Sequence, residues 1–233
     1  MKICLKDFPN EIYIKLDKNY HKDLLRGLNE LKLNHISKEL KVSKPTVTKW
    51  KDEGRYISLG NVKKIINLLK KNSGLLKNKI ISYGTKKSKL YIKNPNLPIN
   101  DSPELREIVI HIMCDGCYNK ENGYAAYYNV PKETKEEFIK ELRKAFGDID
   151  LIFYEDHVHF PTAIALILKS YFKIDFHSTK CRIPKGFFKG NRKQLSAIIR
   201  AAIIDEGTVD GSNIRIDSCN KEFLGDLKRI CKA

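Results

Sequence analysis

Two copies of one pattern decide the fold, and the first is the stretch PELREIVIHIMCDG at residues 103–116. Its apolar residues recur every three or four positions, which predicts a helix with one apolar face. The predicted helix ends at Asp115 and Gly116. The second copy, QLSAIIRAAIIDEG, has the same periodicity and ends at Glu206 and Gly207, so that the two glycines lie 91 positions apart. A pattern repeated at this distance indicates one structural unit used twice.

The segments that follow the two glycines also match. A strand is predicted to begin at Tyr124 in the first copy and at Asn213 in the second, and a helix at Lys132 and at Lys221. The first copy then continues as an α-β-α-β-β-α unit, whereas the second copy stops after its first strand and helix. We therefore expect an incomplete second repeat, either a fragment of a longer chain or a decayed domain. The further elements of the first copy are a hairpin at 151–154 and 158–160 and a helix at 163–172.

An acid before a helix-terminating glycine is unfavourable for stability. The carboxyl end of a helix carries about half a negative charge, and a carboxylate there costs about 0.3–1 kcal/mol. This happens at two equivalent positions, Asp115 and Glu206. If the two helices pack side by side, both carboxylates converge, and a hard divalent cation such as Mg²⁺ relieves the repulsion. Such an ion activates water and neutralises phosphate charge.

These residues resemble the LAGLIDADG family of homing endonucleases, over roughly residues 95–233. The family motif aligns with IVIHIMCDG at 108–116 and with IRAAIIDEG at 199–207. The resemblance implies that Asp115 and Glu206 are the catalytic acids and the two metal ligands, one from each repeat, with Mg²⁺ as the cofactor. It also implies a saddle of strands that lies on double-stranded DNA, with the paired helices at its centre.

The chain departs from the family pattern at a few positions. Val109 and Ile110 stand where the family usually has small residues that let the helices touch, and His111 is unusual there. The family often has a catalytic lysine shortly before an Ile-Pro pair ahead of the second motif. Here the segment TKCRIPKGFF carries Cys181 where that lysine is expected. The resemblance therefore assigns the catalytic lysine to its neighbour, Lys180.

The N-terminal part has a different periodicity. From Lys22 onward, apolar residues recur at helical spacing, interrupted by the segment KVSKP. Ser43 is a favourable N-cap, and Pro45 stands in the first turn of the following helix, where its missing N–H costs nothing. A short helix, a tight turn and a second capped helix predict a helix-turn-helix. The apolar positions are Leu24, Leu25, Leu28, Leu31, Ile36, Leu40, Val47 and Trp50.

Residues 22–70 resemble the repressor-type helix-turn-helix family, most closely in HISKELKVSKPTVTKWKDEG. The resemblance implies a second helix that reads the major groove. Its implied core residues are Ile36, Leu40, Val42, Val47 and Trp50. The side chains assigned to DNA are Lys44, Pro45, Thr48, Lys49 and Lys51. A plain helical bundle with a solvated basic face is the alternative.

We divide the chain into three parts: a helix-turn-helix domain at 1–75, a basic linker at 76–101 and an endonuclease-like domain at 102–233. The repeats are placed at 102–175 and 192–233. Prolines and dense Asn and Lys predict an exposed path for the linker. The stretch between the repeats is also basic, and three of its cations are expected to contact phosphates: Lys185, Arg192 and Lys193.

Charge favours a polyanionic partner. The chain has 44 Lys and Arg against 28 Asp and Glu, a net charge of +16, and residues 1–100 alone carry 23 basic and 8 acidic side chains. Phosphate contact with release of counterions is the expected use of such a domain. The alternative is the Lys-rich composition of an AT-rich genome. No apolar run is long enough to span a membrane, so a cytoplasmic location is expected.

Six cysteines occur without a secretory signal, and reduced thiols are expected. Cys114 and Cys117 form a C-x-x-C without a second such pair, which favours packing residues over a zinc site, although a mixed site with His177 or Cys181 stays open. His157 and His159 alternate on a predicted strand and so share one face.

These observations predict an α+β protein with an N-terminal helix-turn-helix and a LAGLIDADG-type repeat pair. The expected function is Mg²⁺-dependent, sequence-specific cleavage of double-stranded DNA, without a small-molecule substrate or a membrane partner. Two alternatives remain at this point. One is a non-catalytic transcription regulator that only binds DNA, and the other is an RNA maturase that helps an intron fold. The oligomeric state is left undetermined.

Overall fold

The structure, a computed structural model, describes residues 1–52, 54–177 and 179–232. The predicted α+β class is confirmed. Among the described helices, none is long and apolar enough to cross a membrane. The α-helices are α1 (Lys18–Asn29), α2 (Leu33–Leu40), α3 (Lys44–Lys49), α4 (Leu59–Leu68), α5 (Pro103–Cys114), α6 (Lys132–Phe146), α7 (Thr162–Phe172), α8 (Arg192–Glu206) and α9 (Lys221–Cys231).

The strands of the described chain form four antiparallel sheets, ordered β3-β2-β4-β5-β9, β10-β11-β8-β7, β12-β13 and β1-β6. They are β1 (Lys2–Ile3), β2 (Tyr13–Leu16), β3 (Ile57–Ser58), β4 (Ile80–Gly84), β5 (Ile92–Lys93), β6 (Ile99–Asn100), β7 (Gly116–Asn119), β8 (Tyr124–Tyr128), β9 (Asp148–Ile149), β10 (Ile152–Phe153), β11 (His157–Phe160), β12 (Gly207–Asp210) and β13 (Asn213–Ile216).

The turn between α2 and α3 forms as its residues predict. Lys41 ends α2 in the left-handed conformation, with φ of 53°. The Ser43 hydroxyl accepts from the backbone N–H of Thr46, and Pro45 occupies the first turn of α3. The imidazole of His21 is hydrogen-bonded to the Trp50 carbonyl at 2.8 Å, which ties α1 to the end of α3. The second helix is thus held by a cap at its start and by a buried polar contact at its end.

The segment predicted as a linker contains three strands. β4 pairs with β2 on one side and with β5 on the other, and β6 pairs with β1. The predicted exposed path is wrong for these strands, because Tyr83, Ile92 and Ile99 are fully buried. Pro95 and Pro98, which discouraged secondary structure, lie between β5 and β6 rather than within a strand. The division of the chain into domains remains a prediction.

The repeat predicted from the two glycines is present as α5-β7-β8-α6 and α8-β12-β13-α9. The predicted starts at Tyr124, Asn213, Lys132 and Lys221 are confirmed. The sequence analysis missed β7 and β12, which begin directly at the glycines and have no apolar alternation. The chain can turn there because glycine has no Cβ. A Cβ on Gly116 or on Gly207 would lie 2.4 Å from a carbonyl oxygen of the preceding helical turn.

The helices α5 and α8 pack against each other at the centre of the repeat pair. The residues of α5 from Leu105 to Met113 are all buried, including the bulky Val109 and Ile110. Close approach is possible because the partner helix supplies small side chains, and its buried residues include Ala197, Ala201 and Ala202. Large side chains of α5 face small side chains of α8, so the bulky first motif does not prevent packing.

Candidate functional site

The two acids predicted as catalytic occupy equivalent backbone positions. Asp115 is the C-cap of α5, and its carbonyl accepts a hydrogen bond from the N–H of Tyr128, at 2.9 Å. Glu206 is the last residue of α8, and its carbonyl accepts from the N–H of Asp217, at 3.1 Å. Each acid is thus clamped between a helix end and the second strand of its own hairpin.

Electrostatics indicate that the structure brings these acids together. Burial and the negative charges of Asp205 and Glu206 raise the pKa of Asp115 to about 7. Burial and the charge of Asp205 also raise the pKa of Glu206. The pKa of the Cys114 thiol is raised well above its usual range by burial and by the same three carboxylates. The ends of α5 and α8 therefore form one region of concentrated negative charge.

Asp205 is a third acid that the sequence analysis missed. Its side chain is 0% exposed. The Tyr127 hydroxyl donates to its Oδ1 at 2.6 Å, and His111 Nδ1 is hydrogen-bonded to its Oδ2 at 2.8 Å. The acid doublet before Gly207 and the unusual histidine in the first motif were the available signals, and their pairing needed the packed helices. Both oxygens of Asp205 are already used, so this acid joins the last turn of α8 to α5 and β8.

A second polar cluster lies farther along the same helix pair. Arg200 of α8 donates from Nε and Nη2 to the two oxygens of Glu107 on α5, both at 2.9 Å. It also donates to Glu141 at 3.1 Å and to Glu137 at 2.6 Å, both on α6. Burial and hydrogen bonding to Glu107 raise the pKa of Glu141 far above its usual range. His111 Nε2 lies 3.8 Å from Glu141, so the two clusters adjoin.

The acid pair fits the ligand preference of Mg²⁺. This ion commonly takes one or two carboxylates from the protein and completes its shell with waters and substrate phosphate. In the described parts of the chain, no group of three or more His, Cys, Asp or Glu side chains is arranged to hold an ion. Asp115 and Glu206 are the carboxylates predicted to hold such a metal, whose remaining ligands would come from outside the protein.

Lys180 lies on the surface, in a turn in which its N–H donates to the His177 carbonyl. Its neighbour Cys181 is buried, and the Cys181 thiol donates to the Met113 carbonyl at 3.7 Å. The side-chain amide of Asn220 donates to the Cys181 carbonyl at 2.8 Å. Burial raises the pKa of the Cys181 thiol, and the negative charge of Glu206 adds to this shift. The segment therefore passes close to the acids, although no ion pair of Lys180 with either acid occurs within the described residues.

The cations predicted to contact phosphate between the repeats are exposed: Lys185, Arg192 and Lys193. Arg182, in the same basic stretch, is used differently. Its Nε and Nη2 donate to the buried carboxylate of Asp226 at 2.7 and 2.8 Å, and its Nη1 donates to Glu222. This arginine therefore fixes the segment to α9.

Helix α3, which is predicted to read DNA, has the predicted phase. Val47 and Trp50 are buried, at 3% and 5% exposure, as are Ile36 and Leu40 of α2. Val42 in the turn is partly buried. The side chains assigned to DNA all lie on the exposed side, and they are Lys44, Pro45, Thr48, Lys49 and Lys51. The predicted core of the helix-turn-helix is confirmed, whereas DNA contact by the exposed residues remains a prediction.

An aromatic surface lies on the outer face of the four-stranded sheet. His157 stacks on Tyr154 and on Tyr128, with ring centroids 4.3 and 4.6 Å apart, and His159 stacks on Tyr124 at 5.4 Å. The sequence analysis placed the two histidines on one face but missed the three tyrosines, of which Tyr124 and Tyr128 lie on β8 and Tyr154 directly follows β10. Because the N–H of Tyr128 bonds to Asp115, this surface begins directly beside the acid pair.

All six cysteines are free thiols. The Cys117 thiol donates to the Tyr124 hydroxyl at 3.7 Å, and burial and the charges of three nearby carboxylates raise the pKa of Cys114. The region thus combines a cluster of carboxylates at two helix ends, an aromatic sheet surface and exposed cations on separate elements. Searches of this chain against protein-family models and against curated proteins find no match.

Proposed function

We propose that this chain is a Mg²⁺-dependent endonuclease that cleaves double-stranded DNA at a specific sequence, with the helix arrangement of the LAGLIDADG type. The observation that carries the proposal is the pair of equivalent acids at the carboxyl ends of two packed helices. Asp115 and Glu206 share a negative region in which burial and neighbouring carboxylates, with Asp205 acting on both, oppose their ionisation. Structural stability alone gives no reason for this arrangement, because a carboxylate is disfavoured at that end of a helix.

Asp115 and Glu206 are the residues that would hold the ion. A bound Mg²⁺ supplies a water of lowered pKa and a positive charge beside the scissile phosphate. The protein orients the two carboxylates through the helix ends, each clamped to its hairpin by a backbone hydrogen bond. Asp205 keeps α8 aligned with α5 through Tyr127 and His111. Following the family pattern, we assign to Lys180 the role of a positive charge near the reacting phosphate.

DNA binding is assigned to three surfaces. The exposed side of α3 reads the major groove, with Lys49 and Lys44 as its cations. The aromatic sheet surface beside Asp115 lies on the DNA and offers tyrosine hydroxyls and imidazole nitrogens to it. The exposed Arg192 and Lys193 contact phosphates, which add affinity without sequence information.

The metal site is tested by thermal melts with and without Mg²⁺. We expect the ion to raise the melting temperature of the wild type, because it binds only the folded chain. Asp115→Asn and Glu206→Gln should each lose this shift, whereas Asp210→Asn, at an exposed acid of β12, should retain it. No shift in the wild type, with unchanged melting of both acid variants, would mean that the acids do not form a metal site.

The Asp115 variant also tests the repulsion between Asp115 and the neighbouring carboxylates. The folded-state pKa of Asp115 is about 7, above its ordinary value of 3.8, so the protonated side chain is favoured in the folded state. The stability associated with this group is therefore present below about pH 4 and is lost as the pH rises through 7. Asp115→Asn should raise the melting temperature in chelator at pH 8 and change it much less at pH 5. Equal effects at both pH values would argue against a buried, repelled carboxylate.

Activity is tested on duplexes selected for binding in chelator. Addition of Mg²⁺ should produce cleavage at one position by the wild type and none by Asp115→Asn or Glu206→Gln, while all three bind the duplex equally. Residual cleavage by both acid variants would contradict the assignment of the catalytic acids.

A non-catalytic DNA-binding regulator is the second candidate, and one observation favours it. Within the residues that the structure describes, the second repeat has only the two-stranded sheet β12-β13, and its Val209 and Ile214 are 62% and 58% exposed. Half of a saddle can bind DNA without the second strand surface. A regulator would bind the selected duplex, show no cleavage with Mg²⁺ or Mn²⁺, and tolerate both acid substitutions.

A further inference from the structure

We infer that the DNA target is a single bipartite site, in which the block read by α3 and the block beneath the acids have one fixed spacing and one helical phase. This inference rests on the proposed DNA binding, and it concerns the relation between two surfaces rather than either surface alone. It follows from how the helix-turn-helix is joined to the repeats.

The five-stranded sheet crosses from one part to the other. Its strands β2 and β3 bracket the helices α1–α3, and its strand β9 follows α6 of the first repeat. A row of paired residues runs across all five strands, with Ile57 opposite Ile14, then Tyr83, Ile92 and Ile149. Each of these side chains is at most 8% exposed. The reader and the repeats thus share one buried sheet.

The helices are joined to this sheet by short connections that backbone hydrogen bonds hold in place. The N–H of Asp17, which caps α1, donates to the Lys79 carbonyl just before β4, at 2.8 Å. At the start of α4, the N–H of Leu59 donates to the Ile12 carbonyl at 2.7 Å, and the N–H of Gly60 to the Asn10 carbonyl at 3.0 Å. The helix-turn-helix is therefore an insertion between strands, anchored where it begins and where it returns.

The five-stranded sheet is the first seam, that is, the first set of contacts that joins the N-terminal part to the repeats. A second seam holds the start of α5, the helix that ends before Asp115. Strand β1 pairs with β6, and the N–H of Asp101 donates to the Met1 carbonyl at 3.1 Å. The Asp101 carboxylate in turn accepts two hydrogen bonds from Arg106, at 2.8 and 3.0 Å, and the Arg106 side chain is 1% exposed. The N-terminus is thus bound directly to the first catalytic helix.

A third seam joins the loop between β7 and β8 to the segment after β4. A Cβ on Gly123 would lie 2.6 Å from the Cβ of Lys87, so the two segments are in contact at their backbones. Lys87 Nζ donates to the Glu121 carbonyl at 2.7 Å, and Lys120 pairs with Glu11 of the N-terminal part at 2.8 Å. Three separate seams therefore oppose rotation of the helix-turn-helix relative to the repeats.

Breaking such a seam is costly. Each buried backbone group left without a partner costs about 1–3 kcal/mol, so a hinge motion that opens a buried sheet is not thermally populated. A flexible linker behaves differently, because its effective concentration changes only gently as the distance between sites changes. The structure therefore favours a target in which neither spacing nor phase can vary.

The test starts from a pool of duplexes with a randomised stretch of forty base pairs, selected by the full-length chain in chelator. We expect two enriched blocks at one invariant separation. Insertion of five or of ten base pairs between the blocks should lower the affinity by about 100-fold, the lower end of the gain typical of two linked contacts. Blocks at variable separation, or unchanged affinity after the ten-base-pair insertion, would overturn the inference.

Matched variants assign the blocks. Lys49→Ala should abolish enrichment of one block, and Tyr154→Ala on the aromatic surface should abolish enrichment of the other. A single block, lost in Lys49→Ala, would also overturn the inference, because α3 alone would then specify the site. Two blocks without cleavage would refute the nuclease and leave the inference standing. No enriched block would refute sequence-specific binding itself, and the inference with it.

Discussion

The two repeats have the same backbone turn and very different surroundings. In the first repeat, the side of the β7-β8 hairpin that faces the helices is covered, and Ala125 and Tyr127 are 0% exposed, with Tyr127 packed on Phe138 of α6. The equivalent hairpin of the second repeat leaves Val209 and Ile214 largely exposed. The comparison teaches that the helix, the glycine and the hairpin are local products of the sequence, whereas burial depends on the elements that cover them.

The helix faces differ in the same way. All residues from Leu105 to Met113 of α5 are buried. In contrast, α8 borders an open apolar groove of about 680 Å³, lined by Leu195, Ile199, Ile203 and Ile230 among others. The second repeat therefore keeps the geometry of the first with much less cover over its apolar side.

Chemistry is also divided unequally. Position by position, His111 and Tyr127 of the first repeat correspond to Ala202 and Ile216 of the second. Asp205 in turn corresponds to Cys114. A nearly symmetric backbone thus carries an asymmetric network, in which one repeat supplies the buried acid and the other supplies its donors.

The largest expected effect breaks the comparison at its core. Ala125→Asp places a charge on a fully buried strand position and should cost several kcal/mol, whereas Ile214→Asp at the equivalent exposed position should change stability by less than about 0.5 kcal/mol. Urea unfolding of both variants measures the difference. Similar losses would mean that the second hairpin is as buried as the first.

Arg200 tests the asymmetric cluster. Arg200→Ala should cost about 2 kcal/mol, because it leaves the buried carboxylate of Glu107 without its cation. The value is below the roughly 3–5 kcal/mol of fully buried pairs, because solvent reaches part of the guanidinium. The control Arg215→Ala removes an exposed pair with Asp217 and should cost little.

A double variant separates charge from packing at the same place. Combining Arg200→Ala with Glu107→Gln should restore part of the lost stability, because the neutral amide no longer needs a cation. Additive losses in the two variants would show that packing of the arginine stem, rather than its charge, stabilises the cluster.

Tyr127 tests the bridge between the repeats. Tyr127→Phe removes a hydrogen bond to a charged acceptor and should cost about 1.5–3 kcal/mol, while leaving the ring in the core. Tyr128→Phe, at the adjacent exposed tyrosine, should be nearly neutral. If both variants melt like the wild type, the Asp205 bridge does not stabilise the helix pair.

The smallest effect at neutral pH is expected for Glu141→Gln. The folded-state pKa of Glu141 is raised by burial and by Glu107, so its stabilising protonated form is fully present below the ordinary pKa of 4.5 and is lost as the pH rises through the raised value. The glutamine variant keeps a donor toward Glu107 without titrating. Its stability should therefore fall less than that of the wild type between pH 7 and pH 10, and parallel pH profiles would contradict a neutral Glu141.

Local patterns were sufficient for several elements of the fold. Helical spacing placed α6 and α9 at their observed starts, and turn chemistry at Ser43 placed α3 with its buried residues in phase. These features depend on neighbours within one or two turns, which is the range that a sequence pattern samples. The strands β4 and β5 were missed although they pair with each other, because the strands on their outer sides, β2 with Ile14 and β9 with Ile149, are distant in sequence.

For the candidate site, the sequence by itself determined the two acids. Asp115 and Glu206 stand out because a carboxylate before a helix-ending glycine is locally unfavourable, and it occurs twice at one repeat distance. The need for glycine is equally local, since a Cβ would meet the carbonyl of the same helix turn.

Only the tertiary structure decided what surrounds those acids and how the repeats are joined to the helix-turn-helix. Asp205 looks like an ordinary acid until α8 packs on α5 and brings His111 and Tyr127 to its two oxygens. The supposed linker becomes the middle of a sheet once β2 and β9 pair with it. The physical reason is the same in both cases: hydrogen bonds and burial between residues far apart in sequence leave no periodic trace, because each partner satisfies the other only in the folded chain.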